Sequence, residues 1–139
     1  MTHARTNLRN AVIAALIGSD VAGSRVYSNR SNVVDEASLP AINVVTLPET
    51  STQRDLNSSA YMRKLTLNIE LKASDVNDVL VADVVDNFAE TIEAAMAADP
   101  TFAGMATNVA LTGTNFTKEI AGDIPIGVLT LNYQATYFA

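Results

Sequence analysis

Within the segment from Tyr61 to Leu71, the stretch from Lys64 onward alternates without a break. Leu65, Leu67, Ile69 and Leu71 fall on one side of an extended chain, and Lys64, Thr66, Asn68 and Glu70 fall on the other. Successive side chains of a strand point to opposite faces, so this is a strand with one buried face. The end of the chain repeats the pattern, with Val128, Thr130, Asn132, Gln134 and Thr136 alternating against Leu129, Leu131, Tyr133, Ala135 and Tyr137. Both segments contain Leu-Thr-Leu-Asn, at 65–68 and 129–132. Their flanks share no further identity and no fixed period links other parts of the chain, which argues for two strands of one sheet and against a duplication. Such strands require an apolar cover on their leucine side.

Two helices can supply it. In the first, Thr6 or Asn7 caps a run whose apolar residues Leu8, Val12, Ile13, Leu16 and Ile17 are spaced as a helix face, and Gly18 ends it. The basic start and apolar run superficially resemble a signal peptide, but the spacing favours an amphipathic helix. The second helix, about Val76 to Ala98, starts at a cap on Ser74 or Asp75, carries the core stripe Val81, Val85, Phe88, Ile92 and Met96, and stops at Asp99-Pro100.

Between these elements, Arg25-Val26-Tyr27 reads as a short strand and SNRSNVVDEASLP as a loop. Ala41 to Leu47, β-branched and bounded by Pro40 and Pro48, is a strand. Residues 48–60 hold almost no apolar side chain and read as an exposed loop or hairpin excursion. Asn108 to Phe116 is strand-like but broken by Gly113, and 118–125 is a turn region. The expected fold is therefore α+β: one domain over 1–139, with a mostly antiparallel or mixed sheet of four to five strands and two α-helices packed on one face. At 139 residues the chain is long enough to bury a core without metal or disulfide staples, and it contains no cysteine.

Charge is unevenly placed. Residues 1–72 hold eight Lys/Arg against six Asp/Glu, whereas residues 73–139 hold Lys118 alone against nine acids, giving the net −6. That balance opposes a basic nucleic-acid-binding surface. It suits a molecule whose one side docks on the opposite side of an identical neighbour. Asp78, Asp83, Asp86, Glu90 and Glu93 lie on the second helix with no basic residue beside them. Their face is read as solvated, as meeting a basic neighbour, or as lining a lumen, where carboxylates would repel DNA phosphates and let a duplex slide.

Catalytic patterns are missing. The single histidine is His3, without a second imidazole to share a metal. G-x-S-x-G is absent, and LTGTNFTK lacks the second glycine that a phosphate loop places before its lysine. Asp75-Val76-Asn77-Asp78 starts like a calcium loop, but Leu80 and Asp86 stand at the glycine and glutamate positions, so helix capping is the better reading. The sequons at Asn29, Asn57 and Asn115 have no meaning without a secretory signal. No enzyme activity, cofactor, metal or membrane span is expected.

The order of segments resembles the tail terminator proteins of long-tailed bacteriophages, also called tail completion or minor tail U-type proteins. The resemblance is carried by RNAVIAAL (9–16), LPAINV (39–44), RKLTLNIEL (63–71), MAADPTFAGM (96–105), VALTGT (109–114) and IGVLTLNYQATY (126–137). It spans essentially the whole chain and rests on pattern and order. It implies a structural virion protein at the tail end or neck, assembled in the host cytoplasm as a homo-oligomer, a hexameric ring. The ring would cap the tube of tail tube protein, end polymerisation and present a surface to the head-tail connector, with DNA passing through its lumen unread. In that picture Arg5, Arg9, Arg25 and Arg30 are candidates to meet Asp83, Asp86, Glu90 and Glu93 of a neighbour, and Arg54 and Asp55 are candidates to contact the tube or the adjacent subunit. A head-completion or neck connector protein is the alternative of the same class, and a small bacterial ligand-binding domain is the alternative of a different one.

Overall fold

A computed structural model describes residues 4–19, 25–28, 40–53, 61–74, 81–99, 101–102, 104–121 and 124–138. Their order is α1 (Ala4–Gly18), β1 (Val26–Ser28), β2 (Ala41–Gln53), β3 (Tyr61–Ser74), α2 (Val81–Ala97), β4 (Asn108–Ala121) and β5 (Ile124–Phe138). The strands form one five-stranded sheet in the order β1-β2-β3-β5-β4. β1 runs parallel to β2 and every other neighbouring pair is antiparallel, so the sheet is mixed and the fold is α+β as expected.

The two Leu-Thr-Leu-Asn strands, β3 and β5, lie side by side at the centre. Leu67 is opposite Tyr133, Ile69 opposite Leu131, Leu71 opposite Leu129, and the two asparagines, Asn68 and Asn132, face each other directly. Leu65, Leu67, Ile69 and Leu71 are all at most 1% exposed. Each such burial contributes about 1.5–3 kcal/mol. α2 covers β3 and β5, α1 covers β1 and β2, and the helices touch each other, which puts both on the leucine face. Leu8, Val12 and Leu16 of α1 and Val81, Val85, Ala89, Ile92 and Met96 of α2 complete the core. Ala89 takes the fully inward place expected of Phe88, which is only half-buried, because the stripe 81-85-89-92-96 follows the helical period more closely. Ile17, at the end of α1, is 44% exposed.

Several boundaries differ from those the sequence suggests. α1 already includes Thr6 and Asn7, so neither is its cap. Ser74 is the last residue of β3, and the expected first turn of the second helix at 75–80 lies outside the described residues. β2 does not stop at Pro48 but continues to Gln53, and β4 runs through 118–121 to pair Ala121 with Ile124. Both extensions follow from cross-strand pairing, which holds polar residues in a ladder that their own composition would not favour. At about 3.4 Å per residue, β3 is roughly 47 Å long, whereas α2 at 1.5 Å per residue is roughly 25 Å.

Two bulges set which side chains face the helices. In β2, Thr46 pairs with Leu67 and Glu49 with Leu65, so Leu47-Pro48 together occupy the space opposite Thr66. The extra residue accommodates a proline that has no ladder hydrogen to give. It also reverses parity: Ile42, Val44 and Thr46 face the helices before it, Glu49 and Ser51 after it. In β4 the extra residue is Thr112, between Leu111 and Gly113, and its hydroxyl donates to the Asn132 carbonyl at 3.1 Å.

Close packing explains one glycine. A Cβ on Gly127 would lie 2.6 Å from Val85 Cγ2 and 2.7 Å from Val81 Cγ1, so the start of α2 rests directly on the β5 backbone. After α2, Asp99 accepts from the Thr101 amide and hydroxyl at 3.2 and 2.9 Å, and the Thr101 hydroxyl accepts from the Gly104 amide. This turn holds Phe102 at φ +48, a conformation costing about 1 kcal/mol, while burying its ring.

Candidate assembly surfaces

The inward turn of Glu49 brings together polar side chains from four elements. Arg5 on α1 donates to Glu49 Oε2 at 3.0 Å, Arg63 on β3 to Oε1 at 3.3 Å, and the Tyr137 hydroxyl on β5 to Oε1 at 2.8 Å. The Glu49 side chain is only 8% exposed. Burial works to raise its pKa, but the hydrogen bonds from Tyr137, Arg5 and Arg63 and the charge of Arg63 outweigh it and hold the group below its ordinary 4.5. The same burial, with the bond to Glu49, pushes the Tyr137 hydroxyl up to about 12. A polar cleft of about 540 Å³ opens here, bounded by Arg5, Leu47, Glu49 and Arg63 among others. Among the described residues its lining holds two guanidinium groups and one carboxylate.

The second surface runs along α2. Positions 83, 86, 90 and 93 step by three, four and three residues, which places them within an arc of about 80° on the helix. Asp83, Asp86 and Glu90 are exposed and Glu93 is half-buried. None of the four makes an ion pair among the described residues. Glu93 and Ala97 line a small cavity of about 230 Å³ with Met96, Val109, Leu111 and Tyr133, so the stripe lies on the flank of α2 that overlooks β4. Burial, aided by the Glu93 charge, raises the Tyr133 hydroxyl to about 12. Among the described residues there is no group of three or more potential metal ligands, and no helix is long and apolar enough to cross a membrane.

The model of the family described as phage minor tail protein U matches residues 3–137. The chain belongs to that family. A minor tail protein is a structural component of the virion tail, and this chain is read as one from here on. A chain in the solved structure described as the virion of a native gene transfer agent (GTA) particle is similar at 15% identity, with 95% of each chain covered and a TM-score of 0.41. No curated protein matches.

For this tail protein, the arginines and acids singled out in the sequence fall into separate groups. Arg5 is tied to Glu49, and Arg9 donates to Thr46 Oγ1 at 3.4 Å while its Nε is buried without a hydrogen-bond partner. Arg25 donates to the Pro40 carbonyl at 3.0 Å, stitching β1 to the start of β2. Asp83, Asp86, Glu90 and Glu93 share the stripe on α2, and none of these arginines reaches them within the chain. Arg30, Arg54 and Asp55 lie outside the described residues. Sequence reasoning missed the Glu49 cluster. Its signal was Pro48 inside a strand-like run: a bulge there inverts parity and sends the next acid inward.

Proposed function

We propose that this protein assembles into a hexameric ring that caps the phage tail tube, ends its polymerisation and offers the head-tail connector its attachment surface, with DNA passing through the lumen. The observation that carries the reading is the family match across nearly the whole chain. The charge layout supports it. A ring of identical subunits needs two different patches that complement each other head to tail. Here the cluster that joins Arg5 and Arg63 to Glu49 is separate from an acidic stripe on α2 that makes no ion pair among the described residues. Arg5, Arg9, Arg25 and Arg30 are the proposed donors to Asp83, Asp86, Glu90 and Glu93 of the adjacent subunit. The segment with Arg54 and Asp55 is the proposed contact with the tube protein or the adjacent subunit. An acidic or neutral lumen would leave phosphates unbound and the genome free to move.

Two measurements test the reading. Mass photometry of the purified protein, with and without tail tubes, should show a hexamer or a monomer that becomes hexameric on tube ends. Electron microscopy of particles assembled without this protein should show overlong or unfinished tails. Normal free tails beside leaky heads would instead identify a head-completion protein, and a protein that stays monomeric and never binds tube ends would end the ring reading.

A further inference from the structure

The small cavity between α2 and the central strands has walls of two kinds. Met96, Ala97, Val109 and Leu111 make it apolar, and Glu93 and Tyr133 supply its two polar side chains. At about 230 Å³ it is far larger than one water molecule needs, yet smaller than a drug-sized ligand site, which starts at about 300 Å³. Tyr133 is 4% exposed, and its hydroxyl makes no hydrogen bond among the described residues. Buried polar groups ordinarily have a partner, whether protein or water. Glu93 is half-buried and likewise has neither a hydrogen bond nor an ion pair among the described residues. The Tyr133 hydroxyl feels the Glu93 charge, so the two oxygen-bearing groups stand near each other. Burial keeps that hydroxyl protonated, and hence uncharged, through neutral pH.

We propose that this cavity binds an alkylammonium, with its aliphatic chain against Met96, Val109 and Leu111 and its charged end between the Glu93 carboxylate and the Tyr133 hydroxyl. The inference stands apart from the ring reading, because every wall of the cavity belongs to one chain. The lining selects this chemistry by exclusion. An anionic ligand would meet the charge of Glu93. A neutral chain would leave the carboxylate without a donor, and a bare ammonium would give up hydration with nothing to set against the apolar walls. An ammonium carries three donors and no acceptor, so one group serves both oxygens. The ligand has two sources of identical chemistry, a free aliphatic amine and a lysine side chain of a partner in the tail.

The test is a titration of the full chain, labelled at its methionine and leucine methyl groups, with n-pentylamine. Shifts of the Met96 and Leu111 methyls should saturate with a Kd on the order of 1 mM, as suits so small a ligand. Pentanol and methylammonium, each lacking one half of the ligand, should bind at least about tenfold more weakly. Glu93→Gln should weaken binding about tenfold and Tyr133→Phe about threefold. Ala97→Leu, which fills the cavity from the helix surface, should abolish it with the remaining methyl spectrum unchanged. Glu119→Gln, at an acid outside the cavity, should leave the affinity as it is. No shift at amine on the order of 50 mM would overturn the inference. So would pentanol binding as well as the amine, or Glu119→Gln weakening binding as much as Glu93→Gln. Repeating the titration on the assembled protein separates the two sources, and both results uphold the ligand chemistry. Retained binding identifies a free amine, whereas exclusion with the methyls already shifted identifies a partner's lysine. A chain that never assembles would end the ring reading and leave the outcome of the first titration untouched.

Discussion

Glu49 and the acids of α2 are the same chemical group in opposite circumstances. Glu49 sits almost out of water, with three donors converging from α1, β3 and β5. Asp83, Asp86 and Glu90 are exposed and make no ion pair among the described residues, and Glu93 adds a fourth charge to the same flank. A carboxylate of the first kind ties elements together, because its removal strands the groups that were desolvated to meet it. Carboxylates of the second kind tie no elements together and repel each other slightly at three- and four-residue spacing, although Asp83, in the first turn of α2, favours the helix dipole. The fold therefore ties Glu49 into its own structure, while the four acids of α2 make no ion pair among the described residues.

The largest effect expected from breaking this contrast is at Glu49. Glu49→Ala removes the carboxylate shared by Arg5, Arg63 and Tyr137. We expect a loss of about 2–3 kcal/mol, discounted from the buried-pair range because Arg5 is partly in water. Urea denaturation followed by circular dichroism measures it. A loss below about 0.5 kcal/mol would place Glu49 in the same class as the α2 acids.

The pH dependence sharpens the point. The folded-state pKa of Glu49 is lowered, so its contribution is present above the unfolded value near 4.5 and disappears as pH falls through the lower folded value. The gap in stability between wild type and Glu49→Gln should accordingly be full at pH 6 and narrow below about pH 4. A gap that stays constant through the acid limb would contradict the assignment. At the other extreme, Tyr133 and Tyr137 ionise near 12 when folded, against 10 when unfolded. Their raised values mean stability is held below pH 10 and lost as pH rises toward 12.

Tyr137→Phe is a smaller perturbation of the same cluster. It deletes one neutral donor while two charged ones remain, so about 1 kcal/mol should be lost, read from the same urea midpoint. The variant should also shed the part of the alkaline sensitivity that belongs to Tyr137 and keep that of Tyr133.

Much of this architecture is legible in the residues. Strict alternation in 61–71 and 127–138 gave strands whose inward and outward faces the structure retains, and helical spacing gave the right inward stripes at Leu8, Val12, Leu16 and at Val81, Val85, Ile92. Strand ends were not legible. Thr50 to Gln53 and Lys118 to Ala121 are polar and turn-like in composition, yet pairing with Tyr61–Lys64 and Ile124–Gly127 holds them extended. Such pairing is a property of two segments together and cannot be read in either alone. The Glu49 cluster was hidden for a related reason. A single inserted residue at Leu47-Pro48 changes which face every later side chain takes, and alternation counted from Ala41 points Glu49 outward. The acids of α2, by contrast, were legible at once, because helical spacing alone sets them on one stripe.

The smallest effect on stability should come from the stripe itself. Replacing Asp83, Asp86, Glu90 and Glu93 by Asn and Gln removes four charges that make no ion pair among the described residues. Relief of like-charge repulsion at i,i+3 and i,i+4 spacing is worth about 0.2–0.5 kcal/mol per pair, and slightly poorer helix formation by Asn offsets part of it. The urea midpoint of the monomer should therefore stay the same or rise slightly. Whatever those four charges do should appear instead in association, as a loss of its dependence on ionic strength between about 50 mM and 500 mM salt, where screening separates exposed charge pairs from apolar contact. If the neutral variant unfolded more easily, the stripe would be holding the fold as Glu49 does, and the division between the two kinds of carboxylate would collapse.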